Sequence, residues 1–157
     1  KDLSDNKTEN WKLPTWFTDN RDFIMSNLHS EKDITEYQVM HDCGKPYCIT
    51  IDEEGKRHFP NHAQVSFDTY NKISNNKIVA DLILKDMVFH TIKANEVEDF
   101  VKNNSIQTVL TLLVTALCEL HANASMFGGI ESQSFKIKYK QIDKRGKQVL
   151  TLLKNKN

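Results

Sequence analysis

The most apolar run of the chain, Val109 to Leu120, lies inside a stretch whose spacing dictates a helix. Ile106, Leu110, Leu113, Leu117 and Leu120 recur at steps of three and four residues, which places them on one stripe of a 3.6-residue turn. Ser105 offers an oxygen to cap the first turn, and the helix is expected to run to about Ala122. Thr111 and Thr115 interrupt the apolar run, which is too short to span a bilayer. A chain built around such a helix buries the stripe against other helices.

Those helices are legible on either side. Pro14 suits a helix start, and Thr18 or Asp19 can cap a run from Arg21 to Leu28. A second run, Glu31 to Met40, sets Ile34, Tyr37 and Met40 on one face, and Gly44 and Pro46 come after it as stop signals. Pro60 suits the turn before Ala63, Val65 and Phe67 to Tyr70. After a break at Asn75-Asn76, one amphipathic helix is expected from Ile78 to Ile92. Asn95 can cap a short helix from Glu96 to Val101. Beyond a break at Gly128-Gly129, Phe135, Tyr139, Ile142, Val149 and Leu153 favour a last helix, with Gly146 as its weak point. Only residues 47–59 read differently. Tyr47, Ile49 and Ile51 alternate with polar residues, Asp52-Glu53-Glu54-Gly55 is a turn, and Arg57 and Phe59 form a return strand. The expected class is all-α with a small β-hairpin: a polar, flexible arm over 1–12 and one domain over 13–157, which can be part of a longer chain.

Bulk properties narrow the function classes. The 157 residues carry 21 Lys and Arg against 21 Asp and Glu, so net charge favours neither a nucleic-acid wrap nor a membrane surface. Cys43, Cys48 and Cys118 have no paired or metal-knuckle spacing, as expected of reduced thiols in a cytoplasmic protein.

The polar residues that stand out converge on one helix end. His41-Asp42 closes the Glu31–Met40 run and precedes Cys43, Gly44, Lys45 and Pro46. An imidazole nitrogen and a hard carboxylate oxygen are metal-ligand types. The glycine is expected to let the backbone turn sharply, and the lysine adds a point charge suited to phosphate. Asp86 falls on the stripe Val79, Leu82, Asp86, His90, where a helix ordinarily buries apolar groups, and a bound cation removes the cost of burying a carboxylate. On one helix, Asp86 and His90 stand one turn apart, as a ligand and its partner would. Asp81 is the rival carboxylate, off the stripe.

The sequence His41-Asp42-Cys43-Gly44-Lys45 resembles the defining His-Asp-x-Gly-Lys motif of the HD-domain metal-dependent phosphohydrolases. The segment His58-Phe59-Pro60-Asn61-His62-Ala63 with Ser66 is similar to the stretch after that motif in the HD domains of tRNA nucleotidyltransferases. The similarity covers roughly residues 31–92 and implies an all-α HD-type bundle with its metal between helices. It implies ligation by His41 and Asp42, with His62 and Asp86 completing the set, and a divalent ion of the manganese, magnesium, iron, cobalt or nickel kind. The chain departs from the family pattern at the first histidine. His29 lies closer before His41 than the family spacing, so the first ligand is expected either in a segment upstream of the given residues or at His62 or His90.

The implied activity is hydrolysis of a phosphate ester of a nucleotide or nucleic-acid end, or of a phosphorylated small molecule. Asp42, Lys45 and His90 are the expected catalytic groups. Lys45, His121, Asn123, Lys136 and Lys138 are the expected substrate contacts, the lysines belonging to a run that otherwise reads as a solvated helix face. Two other readings share the scaffold: an HD-fold module that binds a nucleotide or RNA terminus without turnover, and a di-iron oxygenase.

Overall fold

The computed structural model describes residues 11–155. Along them the chain runs through α1 (Thr15–Thr18), α2 (Arg21–Ser26), α3 (Glu31–Met40), α4 (Lys45–Cys48), β1 (Thr50–Ile51), β2 (Arg57–His58), α5 (His62–Tyr70), α6 (Lys77–Leu84), α7 (Val88–Thr91), α8 (Val97–Asn103), α9 (Ile106–Ala122) and α10 (Gln133–Lys154). The fold is all-α with one small antiparallel hairpin, the class that the spacing predicts. None of these helices is long and apolar enough to cross a membrane. Where the sequence reading takes 13–157 as one domain, the described residues cluster into two units, 29–88 and 11–28 with 89–155.

In unit 29–88, α6 packs on α3 and α5, and α4 packs on α5. Two N-caps set the frame. Ser30 accepts from the Asp33 N–H at 3.1 Å, and the Asn76 side chain accepts from the N–H groups of Ile78 and Val79. Asn76 also donates to the Asp33 carboxylate at 2.8 Å, which ties the start of α6 to the start of α3. Tyr37, Tyr70, Val79, Leu82 and Ile83 are buried.

The hairpin is shorter than its alternation suggests. Pro46 in the first turn of α4 draws Tyr47 into a helical turn, and only Thr50↔His58 and Ile51↔Arg57 pair. Asp52 closes the turn by accepting from the N–H groups of Glu54 and Lys56 at 3.0 and 2.9 Å, while Gly55 supplies a φ of 78°.

The helix expected over Ile78 to Ile92 is two helices. Turn bonds from the Asp86 N–H to Ile83 and from the Val88 N–H to Lys85 replace the helical ladder. Asp86 therefore sits in a turn between α6 and α7 and is buried.

In unit 11–28 with 89–155, α10 packs against α8, α9 and α1. Ser105 caps α9 as expected, accepting from the Thr108 N–H at 3.1 Å. α9 is more than a one-sided stripe, because every residue from Thr108 to Leu117 is buried; a helix that apolar belongs in an interior. Thr115 satisfies its hydroxyl internally, donating to the Thr111 carbonyl at 2.9 Å. Residues 1–10 of the expected arm lie outside the described residues. Trp11 and Lys12 do not behave as an arm: the Trp11 ring stacks on His121 with centroids 4.8 Å apart.

Gly146 is the reverse of a weak point. A Cβ there would lie 2.3–2.7 Å from three atoms of the Trp16 indole, so the absent side chain is what lets α1 pack against α10. A helix gains about 1 kcal/mol when glycine becomes alanine, but forcing an atom into a packed contact costs about 1–3 kcal/mol. Gly146→Ala is expected to lower the melting temperature by several degrees despite its better helix propensity; thermal unfolding monitored by circular dichroism checks this, and a stabilised variant contradicts it.

Candidate metal centre

The start of α4 and the middle of α5 are held together by a close backbone approach. A Cβ on Gly44 would lie 2.3–2.7 Å from backbone atoms of Val65 and Ser66. Gly44 has φ −83°, an ordinary value, so its requirement is space rather than the sharp turn expected from sequence. The Gly44 N–H donates to the Ser66 hydroxyl at 2.9 Å, a buried bond. The Cys43 thiol reaches the Ser66 carbonyl at 3.5 Å.

This approach sets two imidazoles around one carboxylate. His41 lies at the C-cap of α3, where its Nδ1 meets the Gln38 carbonyl at 2.8 Å. His62 opens α5, where its Nδ1 meets the Phe59 carbonyl at 3.2 Å. Each backbone bond asks for a proton on Nδ1 and leaves Nε2 as the basic nitrogen. His41 Nε2 stands 3.4 Å from Asp42 Oδ2, and His62 Nε2 stands 3.9 Å from Asp42 Oδ1. Asp42 Oδ1 is buried and has no hydrogen-bond partner among the described residues. Oδ2 receives the Lys45 ammonium at 2.6 Å, so Lys45 pairs with Asp42 rather than with Glu53 or Glu54, and its Nζ also lies 5.4 Å from the centre of the Phe59 ring.

Asp86 also approaches His41. The two offer ligand atoms within 4.8 Å of each other, although they are far apart in sequence. Asp86 is 4% exposed, and the buried Tyr37 hydroxyl donates to its Oδ1. Tyr37 escaped the sequence reading as a site residue because it counts as apolar surface of α3. The available signal was its position four residues before His41, which puts the hydroxyl and the imidazole on one helix face. The rival Asp81 is engaged by Lys85 at 2.5 Å. Burial lowers the His29 pKa from its usual value, opposed by the nearby carboxylates of Asp33 and Asp81.

His41 and Asp86 belong to a group of side chains that could hold a metal ion. Neutral imidazoles with Nδ1 fixed by carbonyls are the usual form of ligating histidine. A buried carboxylate oxygen without a partner is costly unless something cationic meets it. Among the expected ligands, His41 is thus the shared member of two pairs, one with Asp86 and one with Asp42, and Asp42 in turn faces His62.

The other expected site residues belong to unit 11–28 with 89–155. His90 does not ride on one helix with Asp86, because the turn at Lys85–Met87 separates them. Its Nε2 lies 3.5 Å from Glu119 Oε2. His121, expected as a substrate contact, is bonded within the fold through both ring nitrogens. Its Nδ1 meets the Leu117 carbonyl at 2.9 Å, its Nε2 accepts from the Lys12 N–H at 3.1 Å, and its ring is buried between Trp11 and Phe135; both nitrogens are spent on the fold. Asn123 is the C-cap of α9, its N–H bonded to the Glu119 carbonyl. Lys136 pairs with Glu131 at 2.9 Å, and Lys138 lies over the Phe127 ring at 5.2 Å.

No protein-family model, no curated protein and no solved structure matches the chain.

This geometry carries two testable expectations. In Gly44→Ala, α4 and α5 are forced apart; the overpacking cost of about 1–3 kcal/mol lowers the unfolding midpoint in urea, and an unchanged midpoint contradicts the close approach. The second concerns His121, whose pKa burial holds below the usual 6.5. Below 6.5 the unfolded chain takes up a proton that the folded chain refuses, so this stability is complete above 6.5 and is lost as pH falls through the folded pKa. His121→Phe is expected to be less stable than the parent at pH 8 and to show a shallower loss of melting temperature from pH 7 to 5. Parallel pH curves for the two proteins contradict it.

Proposed function

We propose that this chain is a metal-dependent phosphohydrolase of the HD type, acting on a phosphate ester of a nucleotide, a nucleic-acid end or a phosphorylated small molecule. The observation that carries the reading is Asp42 Oδ1, buried without a hydrogen-bond partner among the described residues and faced by His62 Nε2 at 3.9 Å. The resemblance of His41-Asp42-Cys43-Gly44-Lys45 to the HD motif supports it.

In this reading His41, Asp42, His62 and Asp86 would hold the ion. A divalent cation at such a site lowers the pKa of a bound water toward neutrality and polarises a phosphoryl oxygen. The protein's own groups then divide the remaining work. The Phe59 and Gln38 carbonyls keep His62 and His41 in the ligating tautomer. Tyr37 orients the Asp86 carboxylate by its hydrogen bond. Lys45 is placed to exchange its ion pair with Asp42 for the anionic oxygens of a substrate, neutralising charge that builds during phosphoryl transfer.

One observation favours the reading as a binding module without turnover. Lys45 already occupies Asp42 Oδ2 at 2.6 Å, an arrangement in which the lysine competes with a cation for the carboxylate. The two readings part in solution. The hydrolase is expected to be stabilised by manganese, by about 2.7 kcal/mol at a hundredfold excess over Kd, and to release phosphate or a nucleoside monophosphate from a substrate panel in manganese. Asp42→Asn abolishes both effects. Binding of nucleotides with no manganese shift and no turnover favours the module.

Tyr37→Phe provides a finer test. Removing the hydroxyl leaves the ring in place and frees Asp86 to turn, so manganese affinity measured by calorimetry is expected to fall about 10–100-fold. An unchanged affinity removes Tyr37 from the site.

A further inference from the structure

The chain as a whole is electroneutral, 21 cationic against 21 anionic residues, but its last helix is not. Along α10 stand Lys136, Lys138, Lys140, Lys144, Arg145, Lys147 and Lys154, against the single carboxylate of Asp143. Positive charge is therefore segregated onto one helix, and the rest of the chain carries the compensating negative excess.

The lysines are also aligned. Lys136, Lys140, Lys144 and Lys147 fall within an arc of about 80° of the helix and extend over about 16 Å of its axis. All four are exposed. Lys136 is paired with Glu131 and Lys147 with Asp143 at 2.7 Å, both ordinary surface pairs worth little. Lys140 and Lys144 have no anionic partner among the described residues. The opposite side of α10 is committed to the interior through Phe135, Ile142, Gly146, Val149, Leu150 and Leu153, so the basic stripe rests on a rigid base.

We infer that this stripe is a docking face for the phosphate backbone of a single-stranded nucleic acid. Successive lysines at i and i+4 advance about 6 Å along the axis, a step comparable with the phosphate repeat of an extended strand. A membrane surface fits less well. Interfacial helices need an apolar face to insert, and the apolar face of α10 is buried, with Ile137 its one exposed large hydrophobic side chain. A protein partner fits less well too, because lysine is depleted at protein interfaces. Binding by α10 is independent of the hydrolase reading and is measured without turnover.

The test uses the full chain and fluorescence anisotropy with labelled single-stranded DNA and RNA oligonucleotides, alongside vesicles of anionic phospholipid. Single strands are expected to bind with log Kobs falling linearly in log salt, about 0.7 per lysine engaged. Replacing Lys136, Lys140 and Lys144 together by Gln is expected to flatten that slope by about 2 and weaken binding on the order of 10²-fold at about 50 mM salt. The three side chains are exposed, so the variant keeps its fold, and circular dichroism confirms that. The inference is overturned by any of three results: no binding of single strands at low salt, equal affinity and slope in the variant, or lysine-dependent binding to the vesicles that exceeds binding to the oligonucleotides.

Discussion

The contact of Gly44 with the Val65–Ser66 backbone is the constraint on which the candidate centre depends. Only a residue without a Cβ lets α4 and α5 come so close. That proximity faces the end of α3 with the start of α5, and so His41 and Asp42 with His62. The Ser66 hydroxyl then accepts the Gly44 N–H, which fixes the approach with a buried hydrogen bond instead of leaving a backbone donor unpaired. A glycine in a motif is commonly read as a source of unusual φ. Here its φ is ordinary, and its value lies in the volume it leaves empty.

The side chains at this point include a group that could hold a metal ion. Asp42 has one oxygen bound by Lys45 and one buried with no hydrogen-bond partner among the described residues. Asp86 is buried beside His41 and takes the Tyr37 hydroxyl. Folding that selected only for stability would replace such carboxylates with apolar groups. Imidazoles locked in one tautomer by main-chain carbonyls and aimed at a carboxylate form an arrangement that a cation stabilises.

Much of this was legible in the sequence. The cap at Ser105 and the run Glu31 to Met40 fall where the pattern puts them, because both are local signals. The meeting of residues 41 and 86 was legible from one oddity, a carboxylate on an apolar stripe. The stripe itself was not one helix. Period alone cannot see the turn at Lys85–Met87, which depends on tertiary hydrogen bonding. For the same reason His121, on the stripe of α9, looked like a ligand-facing residue. Its true partners, Trp11 and the Lys12 N–H, come from a segment that composition marked as an arm. Gly146 misled in the opposite way: its helix propensity is poor, and the Trp16 indole that needs its small size lies far away in sequence.

Binding of a divalent cation by the carboxylates near His41 is open to direct measurement. Anomalous diffraction at the manganese edge, from crystals grown with the ion, tests it most directly. A peak is expected about 2.0–2.3 Å from His41 Nε2 and within bonding distance of an Asp42 or Asp86 oxygen. Density for the side chains with no anomalous peak at His41, at manganese concentrations that saturate the crystal, contradicts it.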